Sequence, residues 1–242
     1  MIRRIALAAL LALALPHAAY AWWDDAWSFR KPLTLDATAA GAGTSASLEE
    51  TAVLVRLHVG NFGYFGDTKP DGADVRFIAG DDKTPLAFHI ESWDATAGMA
   101  FIWVKVPVLA PGTSATIFMY YGNPNAPAGS DAGSTYDVNQ VLAYHFATVP
   151  PKDSTSYANQ PAESSAVANP GSVIGAGVRF NGAESIRIAD SPTVRLLPDR
   201  GLTISAWVNI PDSPQSDAVL VELAGASGPF VRLAIDGLAP YV

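Results

Sequence analysis

The chain has 242 residues, a formal net charge of −8, 49% apolar residues and no cysteine. Nucleic acid and anionic lipid surfaces are excluded as partners, because both repel an acidic protein that has no cluster of Lys and Arg. The lack of cysteine excludes disulfides, thiolate catalysis and cysteine-based zinc sites.

Residues 1–21 have the three parts of an export signal. Two arginines precede an apolar run, Ile5–Leu15, and Ala19-Tyr20-Ala21 supplies the small residues of a cleavage site. The run is too short to cross a bilayer, which takes about 20 apolar residues, and no later stretch is long enough. We therefore predict a periplasmic or secreted chain that begins at Trp22, carries a net charge of −10 and has no membrane span.

Short segments with alternating apolar and polar positions fill residues 22–126. In the clearest one, Ile102, Val104 and Val106 share one face, and Phe101, Trp103 and Lys105 share the other. Turn sequences such as Lys69-Pro70-Asp71-Gly72 separate the segments. The pattern predicts an antiparallel β-sandwich with strands over 31–35, 52–59, 74–78, 86–92, 99–106 and 116–121.

Residues 127–140 are predicted to be a linker, because this stretch is rich in small and turn-forming residues. The strand pattern then restarts at Val141–Phe146. In Gly177–Ile188 two alternating runs flank Asn181-Gly182, which predicts a hairpin in which Asn181 has a positive φ. A further strand is predicted over Gly201–Asn209. The fold class expected for the whole chain is all-β, with two antiparallel sandwiches in tandem.

Residues 141–242 resemble the start of a concanavalin A-like, laminin-G-type jelly roll. The resemblance rests on Phe180-Asn181-Gly182 before Ile186-Arg187-Ile188, and on Thr203-Ile204-Ser205-Ala206-Trp207-Val208. It implies recognition of glycans or proteins. A complete sandwich of this type usually has on the order of 150 residues or more, so we expect this second domain to be incomplete and the chain to be a fragment.

The first domain resembles an uncharacterised bacterial domain of unknown function. Six motifs carry the resemblance, in order: Ala26–Leu33, Val53–Leu57, Gly72–Phe77, Ile90–Asp94, Ile102–Pro107 and Met119–Asn123. Members commonly follow a signal peptide and precede a laminin-G-like domain, and in many a proton-channel module of the ExbB/TolQ/MotA type comes next. The resemblance implies neighbours and placement but no activity.

The pattern of acidic residues gives no sign of catalysis. A glycosidase needs two carboxylates that flank the scissile bond. Several acids are adjacent in sequence, and Glu91 and Asp94 are three apart, so each pair lies on opposite strand faces unless a bulge intervenes. His89 and Glu91 share a face, but a metal site there needs a third ligand. We predict that the chain is not an enzyme.

Aromatic residues are the best candidates for ligand binding. The first domain contains Trp22, Trp23, Trp27, Tyr64, Tyr120 and Tyr121. Our candidate site in this domain is the edge formed by Glu91, Trp93, Asp94 and Trp103. The alternative is that Trp93 and Trp103 fill the core. No cofactor is expected. Asp153 and Asn181 are weak candidates for calcium ligands in the second domain.

Two functions fit these patterns. The first is an exported recognition module that binds a glycan or a protein, as the external part of a proton-channel-linked transport protein in the inner membrane. The alternative is an accessory or partial domain of a secreted carbohydrate-active enzyme.

Overall fold

The computed structural model describes residues 22–195, 201–210, 212, 215–225 and 228–241. The chain divides into two compact units, 1–139 and 140–242. The described residues are almost entirely β, with several antiparallel sheets, which confirms the predicted all-β class. Across these residues, no helix is long and apolar enough to cross a membrane. The predicted export signal, 1–21, lies outside the described residues.

The first unit is a sandwich of two antiparallel sheets. One sheet has the order β1-β7-β3-β4 and the other the order β2-β6-β5. The strands are β1 Phe29–Asp36, β2 Leu48–His58, β3 Arg76–Ile78, β4 Pro85–Leu86, β5 Phe88–Asp94, β6 Met99–Leu109 and β7 Ser114–Tyr121. Each of the six strand segments predicted for this domain overlaps an observed strand. The segment over 86–92 covers the end of β4 and most of β5.

The core lies between these two sheets. Ile102, Val104 and Val106 of β6 are buried in it, as the alternation predicts, together with Phe77 of β3 and Met119 of β7. Burying such side chains contributes on the order of 2 kcal/mol each. A second, smaller core on the outer face of the β1-β7-β3-β4 sheet is formed by Trp27, Ile78, Tyr120 and Ala126, with Trp23 and Phe118 packed against it.

A β-bulge interrupts the pairing of β5 with β6. Ile90 lies opposite Ile102, but Ser92 lies opposite Phe101, so Glu91 is an extra residue on β5. Beyond the bulge the two faces are exchanged, which sends Trp93 into the core between the sheets.

Residues 127–136, which fall within the predicted linker, lie along the edge of β5. The amide of Ile90 donates to Ser130 Oγ at 2.9 Å, and the amide of Asp131 donates to the carbonyl of Phe88 at 2.8 Å. The short helix α1, Ala132–Thr135, follows, with Asp131 as its N-cap. We call residues 127–136 the edge strap.

The described residues of the second unit form three small antiparallel sheets. Their orders are β10-β9, β11-β8 and β12-β13-β14. The strands are β8 Pro161–Ser164, β9 Val167–Asn169, β10 Gly177–Arg179, β11 Ile186–Ile188, β12 Gln215–Gly225, β13 Gly228–Gly237 and β14 Ala239–Tyr241.

Several local predictions for the second unit are wrong. The arms of the expected hairpin, β10 and β11, pair with β9 and β8 and not with each other. At the turn Gly182 has a positive φ, whereas Asn181 does not. Residues 201–209 form no strand, and Trp207 is 76% exposed. In Val141–Phe146 only Tyr144 pairs, through a single bridge to Asp153.

Candidate functional site

An open groove of about 370 Å³ lies at one end of the first unit's sandwich. It forms where β1 begins opposite the end of β7, since Phe29 is paired with Tyr121. A 3₁₀ turn, Phe65–Asp67, borders it. We call it the aromatic groove; its lining residues are Phe29, Arg30, Lys31, Pro32, Tyr64, Asp67 and Tyr121.

Three aromatic rings form a row in this groove. Tyr121 is buried, and Phe29 and Tyr64 stack against it with ring centroids 5.4 Å and 6.2 Å away. Tyr121 also meets the buried ring of Phe62 edge-on at 5.1 Å. Phe29 remains 43% exposed and Tyr64 53% exposed. The core therefore anchors the row, while two of its rings face solvent.

Local sequence holds these rings in place. Gly122 has φ +86°, and a Cβ at this position would lie 2.6 Å from the ring of Phe29, so glycine lets that ring approach the backbone. The loop before Tyr64 is fixed by Asn61, whose side chain accepts from the amide of His58 at 2.8 Å and donates to the carbonyl of Arg56 at 3.0 Å.

Four polar groups of the groove are not used by the fold. Within the described part of the chain, the ammonium of Lys31, the carboxylate of Asp67 and the hydroxyls of Tyr64 and Tyr121 make no hydrogen bond or ion pair. Burial raises the pKa of Tyr121, and the nearby Tyr64 and Asp67 add to the shift. Tyr121 therefore stays a neutral phenol that can donate a hydrogen bond.

Arg30 differs from these groups because its charge is already paired. It forms a salt bridge with Asp82 and donates to the hydroxyl of Tyr120 at 3.3 Å. Its guanidinium also lies over the rings of Trp22 and Phe118, at 5.0 Å and 4.8 Å from their centroids. Of the cations that line the groove in the described part of the chain, Lys31 is therefore the one that remains available to a ligand.

The structure brings two of the four predicted site residues together. Trp103 Nε1 donates to Glu91 Oε2 at 2.7 Å, on the outer face of the β2-β6-β5 sheet. His89 lies opposite Trp103 there, and its Nδ1 is 3.1 Å from the hydroxyl of Tyr136. Glu91 is 9% exposed.

The other two residues lie elsewhere. Trp93 is partly buried and packs against the core, edge-on to Phe65 at 5.4 Å. Asp94 accepts from the amides of Thr96 and Ala97, at 2.9 Å and 2.8 Å, and so holds the turn after β5. Because of the bulge, Glu91 and Asp94 lie on the same face of β5, but each carboxylate is hydrogen-bonded within the fold.

Asp153, one of the weak calcium candidates, is used in its own loop. Its carboxylate accepts from the amides of Ala143, Thr155 and Asn159, at 3.0, 3.0 and 2.8 Å, and from Thr155 Oγ1 at 2.8 Å. The hydroxyl of Tyr144 donates to the backbone carbonyl of Asn159 in the same loop, at 2.7 Å. Burial raises the pKa of Tyr144 to about 12.

Asn181, the other calcium candidate, donates through its amide to Glu184. Among the described residues, no group of three His, Asp or Glu side chains is placed to hold a metal ion.

Two tryptophans near the predicted mature N-terminus, Trp23 and Trp27, contribute to the smaller core. Trp27 Nε1 donates to the carbonyl of Asp74 at 2.6 Å, and Trp23 packs on Trp27 and Tyr120 with centroids 5.0 Å and 5.6 Å away. These rings fasten residues 22–27 to the outer face of the sheet.

Sequence reasoning singled out Tyr64 and Tyr121 but missed Phe29, Lys31 and Asp67. Phe29 and Lys31 are two apart and so share a face of β1, but the predicted strand began only at Lys31, which left Phe29 outside it. Nothing in the sequence pattern places either residue near Asp67.

Residues 71–150 match the model of the family described as Domain of unknown function (DUF2341). The match begins before β3 and extends through β7 and the edge strap, so the N-terminal domain of this chain is similar to that domain of unknown function. No curated protein matches the chain, and no solved structure matches it.

Proposed function

We propose that this chain is an exported recognition module that binds a glycan or protein ligand at the aromatic groove. One observation carries the proposal: solvent-facing rings of Phe29 and Tyr64 lie beside polar groups that the fold leaves unused. Ligand sites typically combine an apolar, aromatic wall with a few converging polar groups. Here the wall is rooted in the core, so it is preformed.

The groove favours binding over hydrolysis. Among the described residues that line it, Asp67 is the one carboxylate. Glycoside hydrolysis needs a pair of carboxyl groups on either side of the bond. A single carboxylate beside aromatic rings is instead suited to binding a ligand.

The cellular setting is proposed from the sequence. The signal-like residues 1–21 support export to the periplasm or beyond. The laminin-G-like motifs of the second domain, together with the ExbB/TolQ/MotA-type neighbours implied by the resemblance, favour the external part of a proton-channel-linked transport protein. A role as an accessory domain of a secreted carbohydrate-active enzyme uses the same groove and is the alternative setting.

Binding of the full chain, purified after export, to a glycan array and to a peptide array tests the proposed activity. We expect retention of a limited set of glycans, and a chain whose N-terminal sequencing begins at Trp22. Retained glycans should be recovered intact, without new reducing ends. Absence of glycan and peptide ligands across the arrays would contradict the recognition function, and turnover that persists through repurification would contradict the absence of hydrolysis.

A further inference from the structure

We propose that the aromatic groove is a subsite for one uncharged pyranose ring. The inference rests on the proposed recognition function and specifies its ligand class. The ring would lie with its apolar C–H face against Phe29 and Tyr64, and its hydroxyls would bond to Lys31, Asp67 and the tyrosine hydroxyls.

The exposed rings supply the apolar part of this site. Phe29 and Tyr64 are joined through Tyr121, which stacks with both, at interplanar angles of 27° and 28°. Each exposed ring presents a flat surface, and a pyranose ring has a face of C–H groups that can cover such a surface. Covering exposed aromatic area is favourable because it removes apolar surface from water.

The unused polar groups supply the complementary part. An ammonium only donates hydrogen bonds and a carboxylate only accepts them, whereas each sugar hydroxyl does both. Neighbouring hydroxyls on one ring therefore satisfy Lys31 and Asp67 together. Tyr121, kept protonated by burial, adds a donor.

Charge favours a neutral sugar. Since Arg30 is paired with Asp82, the charges left among the described lining residues are those of Lys31 and Asp67, which cancel. A sugar with a carboxylate gains near Lys31 and loses near Asp67, and an amino sugar does the reverse. The net charge of −8 further disfavours anionic glycans.

Size limits the ligand as well. Ligand pockets usually have volumes of roughly 300–1,000 Å³, and the groove, at about 370 Å³, is at the low end of this range. It accommodates one sugar ring, and its open side leaves space for the remainder of a longer chain.

The test is an NMR titration of the isotope-labelled full chain with methyl glycosides of glucose, galactose and mannose. Glucuronic acid and glucosamine serve as charged comparators. We expect at least one neutral glycoside to shift the amide signals of Lys31, Asp67 and Gly122, with an affinity that changes little with salt concentration. The charged comparators should bind no more tightly than the neutral sugars.

Groove variants define the contacts. Tyr64→Ala should weaken binding about tenfold, while Tyr64→Phe should stay within about threefold of the parent because it keeps the ring. Asp67→Asn and Lys31→Met should each weaken it about fivefold. Phe180→Ala is the matched control for an exposed ring, since Phe180 is 49% exposed in the second unit. Asp25→Asn and Lys83→Met are the controls for charge.

The outcomes separate this inference from the proposed function. Sugar binding that all groove variants retain overturns the subsite, while recognition stands. Tighter binding of a charged comparator, lost at high salt, overturns the neutral class alone. A peptide that binds in the groove in place of every sugar overturns the sugar subsite, while recognition stands. If no ligand from the titration or the arrays binds, both proposals fail.

Discussion

Gly72 is needed both for the backbone conformation of its turn and for packing beside the aromatic residues of the first unit. It closes the turn predicted at Lys69-Pro70-Asp71-Gly72, where its amide donates to the carbonyl of Lys69 at 2.9 Å. Its φ is +69°, and a Cβ here would lie 2.5 Å from the indole of Trp93. Glycine is thus required for two separate reasons, the left-handed conformation and the contact with the ring.

Gly72→Ala should therefore lower the free energy of unfolding of the first unit by about 2–3 kcal/mol. The matched control is Gly112→Ala. Gly112 has φ +67°, but nothing lies within 4 Å of its Cβ position. It should lose only about 1 kcal/mol, the conformational part. Urea unfolding of both variants measures the difference, and equal losses would show that the contact with Trp93 has no energetic effect.

Asp74 shows how one buried carboxylate organises several turns. It is 1% exposed, and it accepts from the amides of Lys69, Gly122 and Asn123, at 2.8, 2.8 and 3.2 Å. Since Gly122 also admits the ring of Phe29, the hydrogen bonds of Asp74 help to place the wall of the aromatic groove. Charge-assisted bonds of this kind are among the stronger ones in proteins.

At the scale of elements, the edge strap protects the open side of β5. An edge strand exposes unpaired N–H and C=O groups that invite pairing with other chains. The edge strap forms hydrogen bonds with two of these groups, the carbonyl of Phe88 and the amide of Ile90, without forming a full strand. The turn-rich composition from which a linker was predicted suits this irregular path along the sheet.

Ser130→Ala removes the acceptor for the amide of Ile90 and should speed hydrogen exchange at that amide about fivefold, as expected for a hydrogen bond worth about 1 kcal/mol. Ser134→Ala is the control within the strap, because Ser134 Oγ donates to Asp131 and not to β5. Hydrogen-exchange NMR reads both variants. Unchanged exchange at Ile90 in Ser130→Ala would mean that the strap does not protect this edge.

For the whole molecule, the two units differ in how well they bury apolar side chains. The first unit has the large core between its sheets. In the described part of the second unit, the buried hydrophobic residues are Ala143, Ala166, Ala234 and Ile235. Large side chains there, such as Phe180 and Trp207, are exposed. Stability follows buried apolar area, so the second unit should be the weaker one.

We expect calorimetry of the full chain to show two transitions, the first from the second unit. A hydrophobic dye should bind before the first unit unfolds, because apolar surface is already open to solvent. Trp207 is the one tryptophan of residues 140–242. Comparison of the Trp207→Phe variant with the parent therefore identifies the share of the tryptophan-fluorescence change on unfolding that comes from Trp207. One cooperative transition with no dye binding would contradict this expectation.

The sequence alone determined the all-β class, the strands of the first unit and the buried face of β6, because alternation and turn chemistry act over a few residues. Which strands pair, and where their register shifts, depends on contacts distant in sequence. Only the tertiary structure therefore decided that a bulge at Glu91 turns Trp93 into the core, and that β10 and β11 pair with different strands. It also decided the aromatic groove, since Phe29, Asp67 and Tyr121 come from three separate segments that meet only when the sandwich closes.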